Sequence, residues 1–221
     1  MLYWDGWGVA QNQARALHLL RSAAELGHRT AQYNLGIAYD NGHELGKSYY
    51  QAFRYFAQAA RQGCEDAMHS VGSFYQTGEG IAQDYTKARY WYRKSARLGQ
   101  TDAMCDLGRC YQRGVGGRKN QRQAIRWFTK AVGGGNVRAM TWLGLAYAHK
   151  PVENWPMARH WLEQAAEHQQ SHAMYVLGIW AAEGRTDQEN YADASFWFKK
   201  ATRMGHDKAA LRLAELHGEQ F

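Results

Sequence analysis

The apolar residues of this chain recur at intervals of three and four, the spacing that places side chains on one face of an α-helix. In "AMHSVGSFYQTG" the pattern covers Met68, Val71 and Tyr75, and Gly72 interrupts it. Glycine in a helix interior costs about 1 kcal/mol relative to alanine, so its presence there needs a compensating contact. The pattern therefore predicts a helix whose central glycine serves packing.

The same pattern returns along the chain at a nearly constant interval. Related segments begin at Ala31, Ala67, Ala103, Ala139, Ala173 and Ala209, with successive starts 36, 36, 36, 34 and 36 residues apart. The first five carry the glycine at the same place, as Gly36, Gly72, Gly108, Gly144 and Gly178. A helical pattern repeated at this period is typical of solenoids. We predict an all-α fold of about six helix-turn-helix repeats.

A second helical motif follows each first one, and we name the two helices of a repeat A and B. The B motif has the general form Ala-x-x-aromatic-aromatic-x-x-Ala and starts at Ala16, Ala52, Ala88, Ala124, Ala158 and Ala194. Glycine follows most B helices, where a left-handed cap favours it, whereas Gln169 follows the fifth. We expect the glycine of each helix A to face an alanine of helix B, so that large aromatic side chains pack around a close crossing.

These residues resemble the Sel-one-like repeat (SLR), a relative of the tetratricopeptide repeat. The match lies in the Ala-x-x-x-Leu-Gly-x-x-Tyr of helix A, in loop glycines such as Gly78 and Gly80, and in the Lys-Ala-x-x-Trp-Tyr run from Lys87. The resemblance implies a right-handed α/α superhelix that acts as an adaptor in protein complexes, commonly in bacteria. We expect a single domain with a partial unit 1–30, full units 31–66, 67–102, 103–138, 139–172 and 173–208, and a capping helix 209–221.

The resemblance places helices A on the concave face, where their variable positions would bind a partner protein or peptide. These positions differ between repeats while the Leu-Gly-Tyr frame is kept, although solvated positions that vary freely are an alternative. The predicted partner-binding residues are Tyr33, Ile37, Asp40, Asn41, His69, Ser73, Gln76, Arg109, Gln112, Arg113, Thr141, Leu145, His149, Tyr175, Ile179 and Glu183. The groove positions also include His172 and Lys208.

Arg109 and Arg113 lie one helical turn apart, and His149 lies on the next repeat. Two such guanidinium groups can hold a carboxylate or a peptide C-terminus, because arginine forks match carboxylates in geometry. A pair of solvated arginines is the alternative.

No pattern for catalysis, metal or a cofactor accompanies the repeats. The chain has ten histidines and three cysteines but neither a His-Glu-x-x-His nor a Cys-x-x-Cys motif. Some SLR proteins with a disulfide in each repeat have been linked to β-lactam binding or hydrolysis, but Cys64, Cys105 and Cys110 lack paired spacing. We expect a protein that is not an enzyme, with β-lactam or cell-wall ligand binding or hydrolysis as the alternative.

The net charge of +7 raises nucleic acid as a partner. At the groove positions the basic groups are Arg109, Arg113, Arg138 and Lys208, and the acidic groups are Asp40, Asp66, Asp102, Glu183, Glu215 and Glu219. Because the groove as a whole is slightly acidic, we do not expect nucleic acid to bind there. We expect a protein partner, in a bacterial signalling complex or as the target of an inhibitor or immunity protein.

No stretch approaches the roughly 18 consecutive apolar residues of a membrane span. The N-terminus lacks a basic region followed by an apolar core, so we expect no secretory signal and a cytoplasmic location. Tyr3 aligns with Tyr39 late in helix A. If the N-terminus is truncated, a periplasmic location stays open.

Overall fold

The computed structural model describes residues 13–42, 45–185 and 190–218, and the regular elements in these stretches are twelve α-helices. The B helices are α1 (Gln13–Glu25), α3 (Tyr49–Arg61), α5 (Tyr85–Arg97), α7 (Gln121–Gly133), α9 (Trp155–Glu167) and α11 (Tyr191–Arg203). The A helices are α2 (Arg29–Asn41), α4 (Glu65–Thr77), α6 (Thr101–Arg113), α8 (Val137–Tyr147), α10 (Ser171–Ala182) and α12 (Asp207–Gly218). The predicted all-α class and the strict alternation of helices A and B are confirmed.

The helices form two compact units. Unit 1 extends to Ala103 and includes Val115–Gly117, whereas unit 2 consists of Met104–Gly114 and the chain from Arg118 onward. Within unit 1, each helix from α1 to α5 packs against the next, and within unit 2 the same holds from α7 to α12. This serial packing is solenoid-like. The handedness of the superhelix and the single-domain boundaries stay predictions, and the predicted partial unit 1–30 lies partly outside the described residues.

The repeated glycines of helices A lie against the second large side chain of helix B in the same repeat. A Cβ built on Gly36 would lie 2.7 Å from Phe56 Cδ1, and one built on Gly72 would lie 2.7 Å from Tyr92 Cδ1. The packing role predicted for the glycine is therefore confirmed. The predicted alanine is one part of this contact, because a Cβ on Gly72 would also lie 3.3 Å from the carbonyl oxygen of Ala88, and a large side chain fills the rest of the space.

The alanines of helix B contribute to this crossing through their backbone. A Cβ on Gly144 would lie 2.8 Å from Leu162 Cγ and 2.9 Å from the carbonyl oxygen of Ala158. The alanine side chains themselves are fully buried, as at Ala52 and Ala124. Each buried aromatic ring removes about 150–250 Å² from water, worth several kcal/mol at about 25 cal/mol per Å². This gain exceeds the helical propensity lost at the glycine.

Local signals fix where five of the B helices begin. The side chains of Ser48, Asp84, Asn120, Asn154 and Asn190 accept hydrogen bonds from backbone N–H groups in the first turn of α3, α5, α7, α9 and α11. These caps satisfy donors that the helix leaves unpaired. The turns after helices B use a left-handed residue, usually glycine, and Gln169 adopts the same region with φ of 61°. The predicted position of this turn is confirmed.

The described helices include none with both the length and the apolar character that a bilayer crossing requires.

Candidate functional site

The position two residues after the leading alanine of helix A lies over helix B of its own repeat. The ring of Tyr33 is 5.6 Å from that of Phe56, and the ring of Tyr175 is 6.0 Å from that of Phe198. Because these side chains are long, both remain half-buried rather than buried. Burial, with Asp66 and Cys64 adding to it, raises the pKa of Tyr33.

Thr141 occupies the same position in α8, but only 4% of it is exposed. Its side chain is too short to extend beyond the layer formed by helix B, where Leu162 is fully buried. Thr141 therefore belongs to the packed interior, and its prediction as a partner-binding residue is wrong. His69, in contrast, is long enough to stay half-buried, with its ring 5.5 Å from Tyr92.

The other predicted residues of unit 1 lie on α2 and α4, and all of them except Ile37 are polar. Ser73, Gln76 and Ile37 are half-buried, and Asn41 is exposed at the end of α2. Burial and the neighbouring Glu79 raise the pKa of Asp40, and Lys47 opposes this shift. The predicted residues of unit 1 thus lie on helices A as expected. Whether they bind a partner stays a prediction.

In unit 2, the predicted arginine pair meets a tryptophan on the next helix A. The guanidinium carbon of Arg109 is 4.9 Å from the centre of the Trp142 ring, and that of Arg113 is 5.6 Å away. Arg109 also donates a hydrogen bond of 3.0 Å to Asp106. Arg113 is exposed and Trp142 is half-buried. The interaction of a cationic group with an indole ring is favourable by about 0.5–2 kcal/mol, which keeps the group close to the ring.

Flat side chains continue from Trp142 across α10 to the start of α12. The Trp142 and His172 ring centres are 6.3 Å apart, and His172 stacks on His206 at 5.8 Å with planes 16° apart. Tyr175 stacks on His206 at 4.4 Å, with planes 23° apart. We call this set the planar ladder. It consists of Arg109, Arg113, Trp142, His172, Tyr175 and His206.

Trp142 and His206 lie outside the groove positions that the sequence predicted. Trp142 is the third residue after the leading alanine, where other repeats have Asn34 and Ser70. The change from small polar residues to tryptophan is a signal that could have identified it. His206 precedes α12, at the position that Asn136 uses to cap α8.

The end of the ladder near α12 has its own electrostatics. Partial burial, with His206 and Lys208 adding to it, lowers the pKa of His172. Arg212 donates a 2.9 Å hydrogen bond to Glu215, and this bond, with Tyr175 adding to it, raises the pKa of Arg212. In the described part of the chain, the buried Nδ1 atom of His206 has no hydrogen-bond partner.

The remaining predicted residues of unit 2 surround the ladder without joining it. Leu145 and Ile179 are half-buried and pack against the core of this unit. Gln112 is half-buried, His149 is exposed in the turn after α8, and Glu183 is exposed at the end of α10. Glu183 forms an ion pair with Arg185.

The side chains offer little for metal chemistry. Across residues 13–42, 45–185 and 190–218, no three His, Cys, Asp or Glu residues are grouped so that they could hold a metal ion. The structure joins no two of Cys64, Cys105 and Cys110 by a disulfide, and the last two are buried.

A profile of the Sel1 repeat matches residues 1–28, 29–64, 65–100, 101–136, 153–169 and 171–206. The chain belongs to the Sel1 repeat family. No curated protein matches its sequence.

Several solved structures, some of them described as Sel1 repeat proteins, are similar to this chain. One is c5321, described as a protective antigen of uropathogenic Escherichia coli with an SLR fold (TM-score 0.81, 29% identity), and the match covers 97% of this chain but 46% of that one. Another is a Sel1 repeat protein from Oxalobacter formigenes (TM-score 0.78, 28% identity, 90% and 81% covered). The immunity protein Pa5087 from Pseudomonas aeruginosa shares the fold (TM-score 0.55, 24% identity, 82% and 68% covered).

Proposed function

We propose that this Sel1 repeat protein is a non-enzymatic scaffold that binds a segment of a partner protein on the planar ladder of unit 2. The observation that carries the proposal is the chain of contacts from Arg109 and Arg113 through Trp142 to His172 and Tyr175. These contacts link side chains of three A helices, α6, α8 and α10.

The residue types of the ladder support a binding role. Tryptophan, tyrosine and arginine are the residues that most often dominate the energy of protein interfaces. They bury large areas and lose little conformational entropy when they are already held by neighbours. Arg113 is exposed, while Trp142 and Tyr175 are half-buried. Preorganised, partly accessible anchors of this kind are what a protein segment can use.

The similar proteins are described in different terms. One is described as a protective antigen and another as an immunity protein, and each description applies to that protein. At 24% identity the immunity protein supports the fold alone. Neutralising a partner, as an immunity protein does, and assembling a signalling complex are both uses compatible with the proposed surface.

Site-specific photo-crosslinking tests the proposal. Benzoylphenylalanine placed at Trp142, inside living bacteria that express the full chain, should form an adduct with a partner protein because this position lies within the ladder. The same group placed at Tyr90, an exposed aromatic residue of helix B in unit 1, is the matched control. Equal adducts at both positions would remove the ladder as the binding site.

A charge reversal provides a second readout in the same experiment. Arg113→Glu should abolish or strongly reduce the Trp142 adduct, because the exposed guanidinium would be replaced by a group of opposite charge. Arg126→Glu changes an exposed arginine on α7 and should leave the adduct unchanged. Circular dichroism of both variants confirms that the helices are intact.

A further inference from the structure

A second group of cationic side chains lies at the end of the ladder opposite to Arg109 and Arg113. Lys208 is close enough to His172 to lower its pKa, and Arg212 is close enough to Tyr175 for that side chain to raise the pKa of Arg212. The two imidazole rings of His172 and His206 stack between these groups.

We propose that the His172–His206 pair binds an acidic group of the partner and takes up a proton as it does so. The inference rests on the proposed function, because it names the chemistry of the segment that the ladder binds. The partner segment is acidic, with one carboxylate at the arginine pair and another at the histidine pair. Binding is therefore tighter at acidic pH.

The geometry opposes a positive charge on both rings before the partner binds. Two protonated imidazoles with ring centres 5.8 Å apart, next to Lys208, would repel one another. Partial burial of His172 opposes its charged form as well. A carboxylate placed against the rings supplies the opposite charge that is missing, so it favours protonation.

The unpaired ring nitrogen of His206 gives the incoming group a donor. Nδ1 of this ring is buried and has no hydrogen-bond partner among the described residues. A buried polar atom without a partner costs about 1–3 kcal/mol. A carboxylate can approach the exposed ring of His172 directly. It can accept from a protonated Nδ1 of His206 only when that ring turns outward, and the bond then recovers this cost.

The helices that pack beside the pair carry charged groups of both signs. On α12, the basic Lys208 and Arg212 are accompanied by the acidic Asp207 and Glu215, and Glu215 is bonded to Arg212. The B helices packed beside α10 and α12 end in Glu167 and Arg203, one of each sign. Tyr175 is the titratable group of α10 that contacts His206. The histidines therefore determine how the local charge changes between pH 6 and 8.

The probe is rhodamine-labelled hexaglutamate, with hexaglutamine as the uncharged control, titrated with the full chain. Fluorescence anisotropy gives Kd at pH 5.8 and 7.8 at constant ionic strength, where glutamates remain largely ionised. Hexaglutamate should bind about three- to tenfold more tightly at pH 5.8, since a pKa rise of one unit on binding changes affinity up to tenfold. Hexaglutamine should show no such change.

Substitutions test whether the two histidines cause the pH dependence of binding. His172→Gln/His206→Gln should remove the pH dependence, whereas His168→Gln, which changes an exposed histidine after α9, should keep it. Persistence of the pH dependence in the double variant would overturn the inference. Equal affinity at the two pH values in the unaltered chain, or no binding of hexaglutamate at either, would do the same.

A measurement on the unaltered chain avoids any effect of the substitutions on folding. Carbon-detected NMR titration of the imidazole rings should show the pKa values of His172 and His206 rising when hexaglutamate is bound. Unchanged values would contradict the inference. The crosslinking at Trp142 does not depend on acidic charge, so a scaffold that binds a neutral segment would still pass that test and fail this one.

Discussion

Units 1 and 2 share one internal frame and carry different outer surfaces. In both, a glycine of helix A lies against a ring of helix B, as Gly72 does with Tyr92 and Gly108 with Phe128. On the outside, the large groups of unit 1 rest on their own B helix, as His69 does on Tyr92. Tyr33 also lies near Cys64 and Asp66, where the next helix A begins. In unit 2 such contacts form the continuous planar ladder. The glycine contacts inside the repeats can therefore stay the same while the side chains on the surface change.

The two surfaces also differ in the sign of their charge. The predicted groove positions of unit 1 carry the acidic Asp40, Asp66 and Asp102 and no basic residue. Those of unit 2 carry four basic residues, Arg109, Arg113, Arg138 and Lys208, against Glu183 and Glu215 within the described residues. The slightly acidic groove inferred from the whole chain is an average over two surfaces of opposite sign. Charge should therefore be counted for each unit.

Overpacking the shared frame should have the largest effect. Gly72→Leu in unit 1 and Gly108→Leu in unit 2 should each lower the free energy of unfolding by about 3 kcal/mol, because the new side chain needs the space of a ring. Chemical denaturation followed by circular dichroism measures both. Gly133→Ala is the control, since a Cβ there meets no atom within 4 Å. A stable Gly108→Leu would contradict the packing role.

Reversing one charge in each unit should separate the two surfaces. Arg113→Glu should weaken hexaglutamate binding about tenfold, because it removes one favourable contact and adds a repulsive one. Asp40→Lys makes the opposite change in unit 1 and should leave the affinity within twofold at constant salt. Anisotropy titrations measure both. Equal responses would mean that net charge, and not the ladder, governs binding.

Filling the buried hydroxyl position with a methyl group should be mildly stabilising. Thr141 Oγ1 is buried and has no hydrogen-bond partner among the described residues. Thr141→Val keeps the shape and removes this polar atom, so unfolding should cost about 1 kcal/mol more. Thermal denaturation should show a higher Tm, whereas Thr129→Val on the exposed side of α7 should change little. Destabilisation by Thr141→Val would indicate that the hydroxyl is paired.

The smallest effect should be on the pH dependence of stability without a partner. The pKa of His172 is lower in the folded chain than its ordinary value near 6.5, so the unfolded chain binds its proton more readily. Stability should therefore decrease as the pH falls below about 6.5, and His172→Gln should flatten this decrease. Denaturation at pH 7.5 and 5.5 measures it.

The frame was predictable because each of its determinants is local and repeated. The glycine, the alanines and the turn after helix B recur at the same positions in successive repeats. So many repetitions of one pattern cannot arise by chance. The structure added one detail, the large side chain that lies against the glycine beside the alanine backbone. Spacing along a helix cannot say which side chain of the partner helix fills a gap.

The surface was less predictable because exposure depends on side-chain length as well as on position. Thr141 and Tyr175 occupy equivalent positions, yet the first is buried and the second is half-buried. Contacts between successive A helices, such as Arg113 with Trp142, depend on packing between repeats, which no single repeat encodes. Comparing equivalent positions for a change in size, as at Trp142, is the signal that sequence reasoning can use.

The packing of a large side chain of helix B against a glycine of helix A also bears on how the chain tolerates changes of length. The repeat that starts at Ala139 is two residues shorter than its neighbours, yet Gly144 and Gly178 keep their contacts with Leu162 and Phe198. The deletion falls between α8 and α9, where the chain crosses from one helix to the other. We therefore expect insertions and deletions to accumulate in the loops between helices A and B. Within the helices, a change of length should be tolerated only when a whole repeat is gained or lost.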